Sequence, residues 1–163
     1  MSKNKEVPFL KALIELLQGH AVQYSDGRTE PFVSVSLGKL TPGYGYPRVA
    51  VVPLGPQFIT EVLGGQRLSR KGRYVGVTIE IHYEHHDEEQ GVLDMSDILW
   101  GVVDAILDNP RLGGAESIQL GEIDYAYAIK DEKLEDGTPA NEIPDWGYKG
   151  VALLPVYAEY RYT

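Results

Sequence analysis

The sequence predicts an α+β fold, an antiparallel β-sheet with two α-helices packed on one face and a long C-terminal β-hairpin. Three observations carry this. Apolar residues recur at three-and-four spacing around 9–17 and 92–109, and they alternate singly along 73–84 and 148–162. The elements also run helix, strands, helix, strands rather than in strict strand–helix alternation.

Taken in order, Pro8 suits a first helical turn, and Phe9, Leu10, Leu13, Ile14 and Leu17 repeat at helical spacing until Gly19, a fitting C-terminal cap. A polar turn at Ser25, Asp26 and Gly27 leads to Phe32, Val33, Val35 and Leu37, interleaved with serines as in a half-buried strand. Thr41, Pro42, Gly43, Tyr44, Gly45, Tyr46 and Pro47 make a breaker-rich loop before a short strand at Val49, Ala50, Val51 and Val52, which Pro53, Gly55 and Pro56 close. The clearest strand is Arg73 to Glu84, where Val75, Val77, Ile79, Ile81 and Tyr83 alternate with more polar neighbours.

Between Val92 and Asn109, Met95, Ile98, Leu99, Val102, Val103, Ile106 and Leu107 form an apolar stripe. Asp94, Asp97, Gly101, Asp104 and Asp108 fall opposite it, so Asp97, Asp104 and Asp108 read as an exposed acidic helix face. Asn109, Pro110, Gly113 and Gly114 stop this helix. Ile118 and Leu120, then Ile123, Tyr125, Tyr127 and Ile129, alternate as strand residues, with Gly121 marking a bulge. Lys130 to Trp146 is acidic and rich in Pro and Gly, and reads as a mobile loop, at about 130–147, that orders on a partner. Tyr148 to Tyr162 closes the chain as an extended run in which Pro155 favours an edge or a bulge.

A chain of 163 residues suits one domain, 1–163, able to bury roughly 70% of its unfolded surface. Its 43% apolar and 24% charged residues are those of a globular protein. The lack of cysteine excludes a disulfide framework, a thiolate nucleophile and cysteine-held metals. No segment offers the ~18 uninterrupted apolar residues of a membrane span, and MSKNKEVPF has no long apolar run, so the chain reads as cytoplasmic. Its net charge of -9 argues against high-affinity binding to a nucleic-acid backbone. Residues 1–83 hold ten basic and six acidic side chains, residues 84–163 five and eighteen. Oppositely charged surfaces on one domain suit head-to-tail association of copies or steering toward a basic partner.

His82, Glu84 and His86 would share one face if the strand ran on, and imidazole with carboxylate can ligate zinc or iron. A strand end entering a turn gathers polar residues in any case, and no fixed zinc spacing is matched, so no metal is assigned. Gly43, Gly45 and the Gly64, Gly65 pair lack a P-loop lysine and read as turns, and no serine sits in a GxSxG elbow. No catalytic residue and no cofactor is therefore expected. Arg67, Arg70, Lys71 and Arg73 form the one dense positive patch, read as decorating a hairpin loop that reaches toward an acidic surface.

The layout resembles the tail terminator (tail completion) proteins of long-tailed bacteriophages. The likeness runs through the N-terminal helix ending at Leu17, PRVAVVPLG from Pro47 to Gly55, the basic GGQRLSRKGRYVGVTIEIHYEHH, the helix VLDMSDILWGVVDAILDNPRLGG, and the late GEIDYAYAI and GVALLPVYAEYRY. It implies a virion structural protein without catalysis: a homo-oligomeric ring, commonly sixfold, at the neck end of the tail and assembled in the host cytoplasm. Such a ring docks on the tail tube protein, stops polymerisation and faces the head–tail connector protein. Opposite charges would fix the contact between copies, with Arg67, Arg70, Lys71 and Arg73 meeting a neighbour or the tube. Acids facing the channel would let passing DNA slide without sequence-specific binding. Another phage neck or head–tail joining protein is the nearest alternative, and a small metal-dependent enzyme using His82, His85 and His86 is the alternative from a different class.

Overall fold

The computed structural model describes residues 4–41, 43, 45–63, 66–127 and 147–161, those at 56–73, 126–127 and 161 by their backbone. The expected loop from Lys130 to Trp146 lies outside the described residues.

Helix α1 (Glu6–Gln18) starts where Asn4 Oδ1 accepts the amides of Glu6 and Val7, at 2.9 and 3.3 Å, satisfying donors that a helix start leaves free. It ends at Gly19, and it buries Phe9, Leu10, Leu13 and Leu17. The segment read as a plain polar turn is a small hairpin, β1 (Ala21–Gln23) against β2 (Thr29–Pro31). Its turn is closed by the Tyr24 amide on the Arg28 carbonyl at 2.9 Å, with Gly27 at φ 95°. Asp26-Gly27 was the available signal for it. The strand expected from Phe32 shrinks to β3 (Ser34–Leu37) because residues 29–31 are committed to this hairpin.

The main sheet has the order β3, β4 (Arg48–Leu63), β5 (Gln66–His85), β8 (Tyr148–Arg161), β6 (Ser117–Leu120), with β7 (Asp124–Tyr127) also paired to β8. It departs from a purely antiparallel sheet at its β3 edge, which runs parallel to β4 (Arg48–Leu63). Pro53, Gly55 and Pro56 do not close β4; they coincide with a register shift between Pro53 and Gly55, and pairing to β5 (Gln66–His85) resumes beyond it. The two strands form the longest antiparallel pair of consecutive strands among the described residues. As a result Arg67, Arg70, Lys71 and Arg73 lie within β5 and not on a loop that precedes it.

After α2 (Glu88–Leu107) and a single 3₁₀ turn (Leu112–Gly114) come the short strands β6 (Ser117–Leu120) and β7 (Asp124–Tyr127), then the long β8 (Tyr148–Arg161). Both short strands pair antiparallel with the same side of β8. Gly121 marks the break between them, and its amide donates to the Pro155 carbonyl at 2.8 Å. N–H and C=O of one strand residue point the same way, so the missing Pro155 donor faces this break. That local gap is how β8 carries a proline while lying inside the sheet.

Register places Val49 and Val51 beside Ile81 and Ile79, and those beside Ala152 and Leu154, on one face of the sheet. All six are fully buried. On this face α1 contacts β3 and β4, whereas α2 contacts β5 and β8, so the helices divide one apolar layer between them. Gly91 allows the close approach of α2, since a Cβ there would run into the Tyr148 side chain. Gly113, at φ 65°, turns the chain against Phe9, whose Cα would lie 2.7 Å from an added Cβ. No helix among the described residues is long and apolar enough to cross a membrane.

Candidate assembly surfaces

Helix α2 carries five acids and no base, and Asp108 caps its C-terminus. At the N-terminal end this suits the helix dipole: Asp87 accepts the Glu89 amide at 3.1 Å, and Glu88 and Glu89 occupy the first turn. At the other end, Asp104 and Asp108 place negative charge where the dipole disfavours it, with no basic residue in the last turn.

The acids expected on the solvated side take three different positions. Asp94 is buried, only 1% exposed. Its carboxylate accepts from Tyr83 Oη at 2.7 Å, Gln90 Nε2 at 2.7 Å and Arg28 Nη2 at 2.9 Å. Arg28 also pairs with Asp26 at 2.6 Å and lies 4.5 Å over the Tyr24 ring, whose hydroxyl donates to Glu30. Burial and then the hydrogen bond to Asp94 raise the Tyr83 hydroxyl above its ordinary range; burial and then the bond to Glu30 do the same for Tyr24. These side chains clamp the β1–β2 hairpin onto α2 and β5. Asp97, expected to be exposed, is half-covered, because it accepts from the Ser25 amide at 2.8 Å and the Ser25 hydroxyl at 2.7 Å. Asp104 and Asp108 are exposed.

Leu93, Trp100 and Leu107 repeat every seven residues along the outer face of α2, and all are exposed, Trp100 by 63%. Large aromatic side chains are seldom left so open. Beside them a cleft of about 540 Å³ is lined by His20, Gln23, Asp97, Trp100, Asp104 and Asp108 among others. The sequence reading missed Trp100 because it treated the helix as one apolar stripe and one polar back. Leu107, read into the apolar stripe, is likewise exposed, by 54%. His20 is one of the lining residues; its Nε2 is buried without a hydrogen-bond partner among the described residues, and burial lowers its pKa.

The basic group occupies the far end of the long hairpin. β8 begins to pair with β5 at Gly72, opposite Arg161, and β3 meets β4 only over Arg48–Val51. From Gln66 to Lys71, therefore, β5 has β4 as its sole strand partner among the described residues. The result is a two-stranded arm beyond the sheet that carries Arg67, Arg70 and Lys71, with Arg73 at its root opposite Tyr160.

The His82–His86 stretch is divided by its structure. His82 lies across from Arg48 on the helix-free face, its Nε2 3.5 Å from Glu80 and otherwise unpartnered. His85 accepts the Asp87 amide at 3.0 Å, and its ring stacks 4.4 Å from that of His86. Glu84 faces Lys149 at 3.5 Å. No group of three or more His, Asp or Glu side chains placed to hold a metal occurs among the described residues.

No protein-family model matches the chain, and no curated protein matches it.

Proposed function

We propose that this protein is a structural subunit of a phage virion, one that forms a ring on the end of the tail tube, stops tube polymerisation and joins the tail to the head connector. One observation carries the reading: a single domain bears a basic two-stranded arm and, elsewhere, an acidic helix face with an exposed tryptophan. Identical copies that meet head-to-tail need two different, complementary surfaces, and such contacts close into rings when the rotation permits. The layout likeness to tail terminators supplies the ring's place, at the neck end of the tail. The net charge of -9 agrees with a channel that passes DNA without holding it.

The test is to add the purified protein to polymerising tail tube protein and measure tube lengths by electron microscopy. Capped, shortened tubes ending in a ring are expected. Unchanged lengths with no protein bound at tube ends would overturn the proposal, and binding to the connector but not the tube would make this a neck protein instead.

A further inference from the structure

We propose that the outer face of α2 seats the β4–β5 arm of a second copy of this chain. The inference rests on the self-association half of the reading above and adds which surfaces meet. On one side, Leu93, Trp100 and Leu107 are exposed in a row, flanked by Asp104 and Asp108, which pair with no cation among the described residues. These two carboxylates stand at a helix end whose dipole disfavours them, so a cation arriving from outside relieves a repulsion already present in the free chain. An exposed indole is also the best aromatic face for an arginine or lysine to stack on.

On the other side, residues 57–73 carry four basic side chains and one acid, Glu61, and Arg67, Arg70 and Lys71 lie beyond Gly72, where the pairing of β5 with β8 ends among the described residues. An isolated two-stranded ribbon is marginally stable in water and gains most from a surface to lie on. The arm and its seat belong to different elements of one domain. Head-to-tail contact through them leaves every open assembly with one free arm at one end and one free seat at the other until a ring closes.

A photocrosslinking residue placed by Leu107→p-benzoylphenylalanine in the full chain tests this directly. Covalent dimers whose linked peptide comes from residues 57–73 are expected. Crosslinks confined to other segments, or a chain that stays monomeric at the highest attainable concentration, would overturn the inference. Charge reversal tests the same pairing. Asp104→Lys with Asp108→Lys, or Arg70→Glu with Lys71→Glu, should each weaken association roughly tenfold or more, and all four changes together should restore it. Association indifferent to either pair, or still lost in the combined variant, would overturn it. Thermal melting checks that each variant is folded, and the crosslink in the otherwise unaltered chain stands even if one is not. Arm-to-helix crosslinks with unaffected tube lengths would uphold this inference and remove the tail reading.

Discussion

Asp94 shows how one side chain can decide more than its place in a pattern suggests. Helical periodicity puts it among four other polar positions, yet it alone is buried, because Tyr83 and Arg28 reach it from β5 and the β1–β2 hairpin. Asp94→Ala would leave the Tyr83 hydroxyl and the Gln90 amide without their acceptor, and should cost about 2–4 kcal/mol in urea unfolding. Arg28→Ala should cost less, about 1 kcal/mol, since its side chain is 47% exposed and its pairing is screened by water. Equal losses for the two would contradict the clamp as described. His20 gives a pH dependence. Burial depresses its folded pKa below the ordinary 6.5, so in the window below 6.5 the unfolded chain binds more protons than the folded one. Its contribution is complete above 6.5 and is lost as pH falls through the folded pKa; His20→Phe should flatten that part of a stability–pH curve.

For the elements, α2 and the arm make opposite predictions about stability. Asp104→Lys should stabilise the isolated protein by about 0.3–1 kcal/mol, because it puts a cation at a helix C-terminus that has none. A fall in melting temperature would mean that Asp104 has a local role the helix dipole does not capture. Among the described strands and helices, the arm should be the first to be cut. With β4 as its sole strand partner among the described residues, the backbone around Arg67, Arg70 and Lys71 opens more cheaply than the multiply paired sheet, so trypsin should cleave there before it cleaves the rest of the sheet or the helices. Assembly should protect those bonds. The extents of β4 and β5 were only half legible. Alternation marked residues 73–84, but proline and glycine at 53–56 looked like a stop, and whether such residues end a strand or only shift its register depends on the partner beside it.

Over the whole molecule, four of the ten basic residues of 1–83 lie on β5 around the arm, and five of the eighteen acids of 84–163 lie on α2. Association through those surfaces should weaken steadily with salt, as the screening length falls from about 10 Å at 0.1 M to about 3 Å at 1 M. Light scattering across a salt series checks this, and a salt-independent molar mass would point to an apolar contact elsewhere. The α+β class, both helices and the core faces of β5 and β8 were determined by the sequence itself, because periods of 3.6 and 2 record locally which side of an element leaves water. Tertiary structure alone decided the parallel edge strand, the small hairpin's clamp, the burial of Asp94, the exposure of Trp100 and the arm that outruns its sheet. Each depends on which distant element lies alongside, and no local period encodes that.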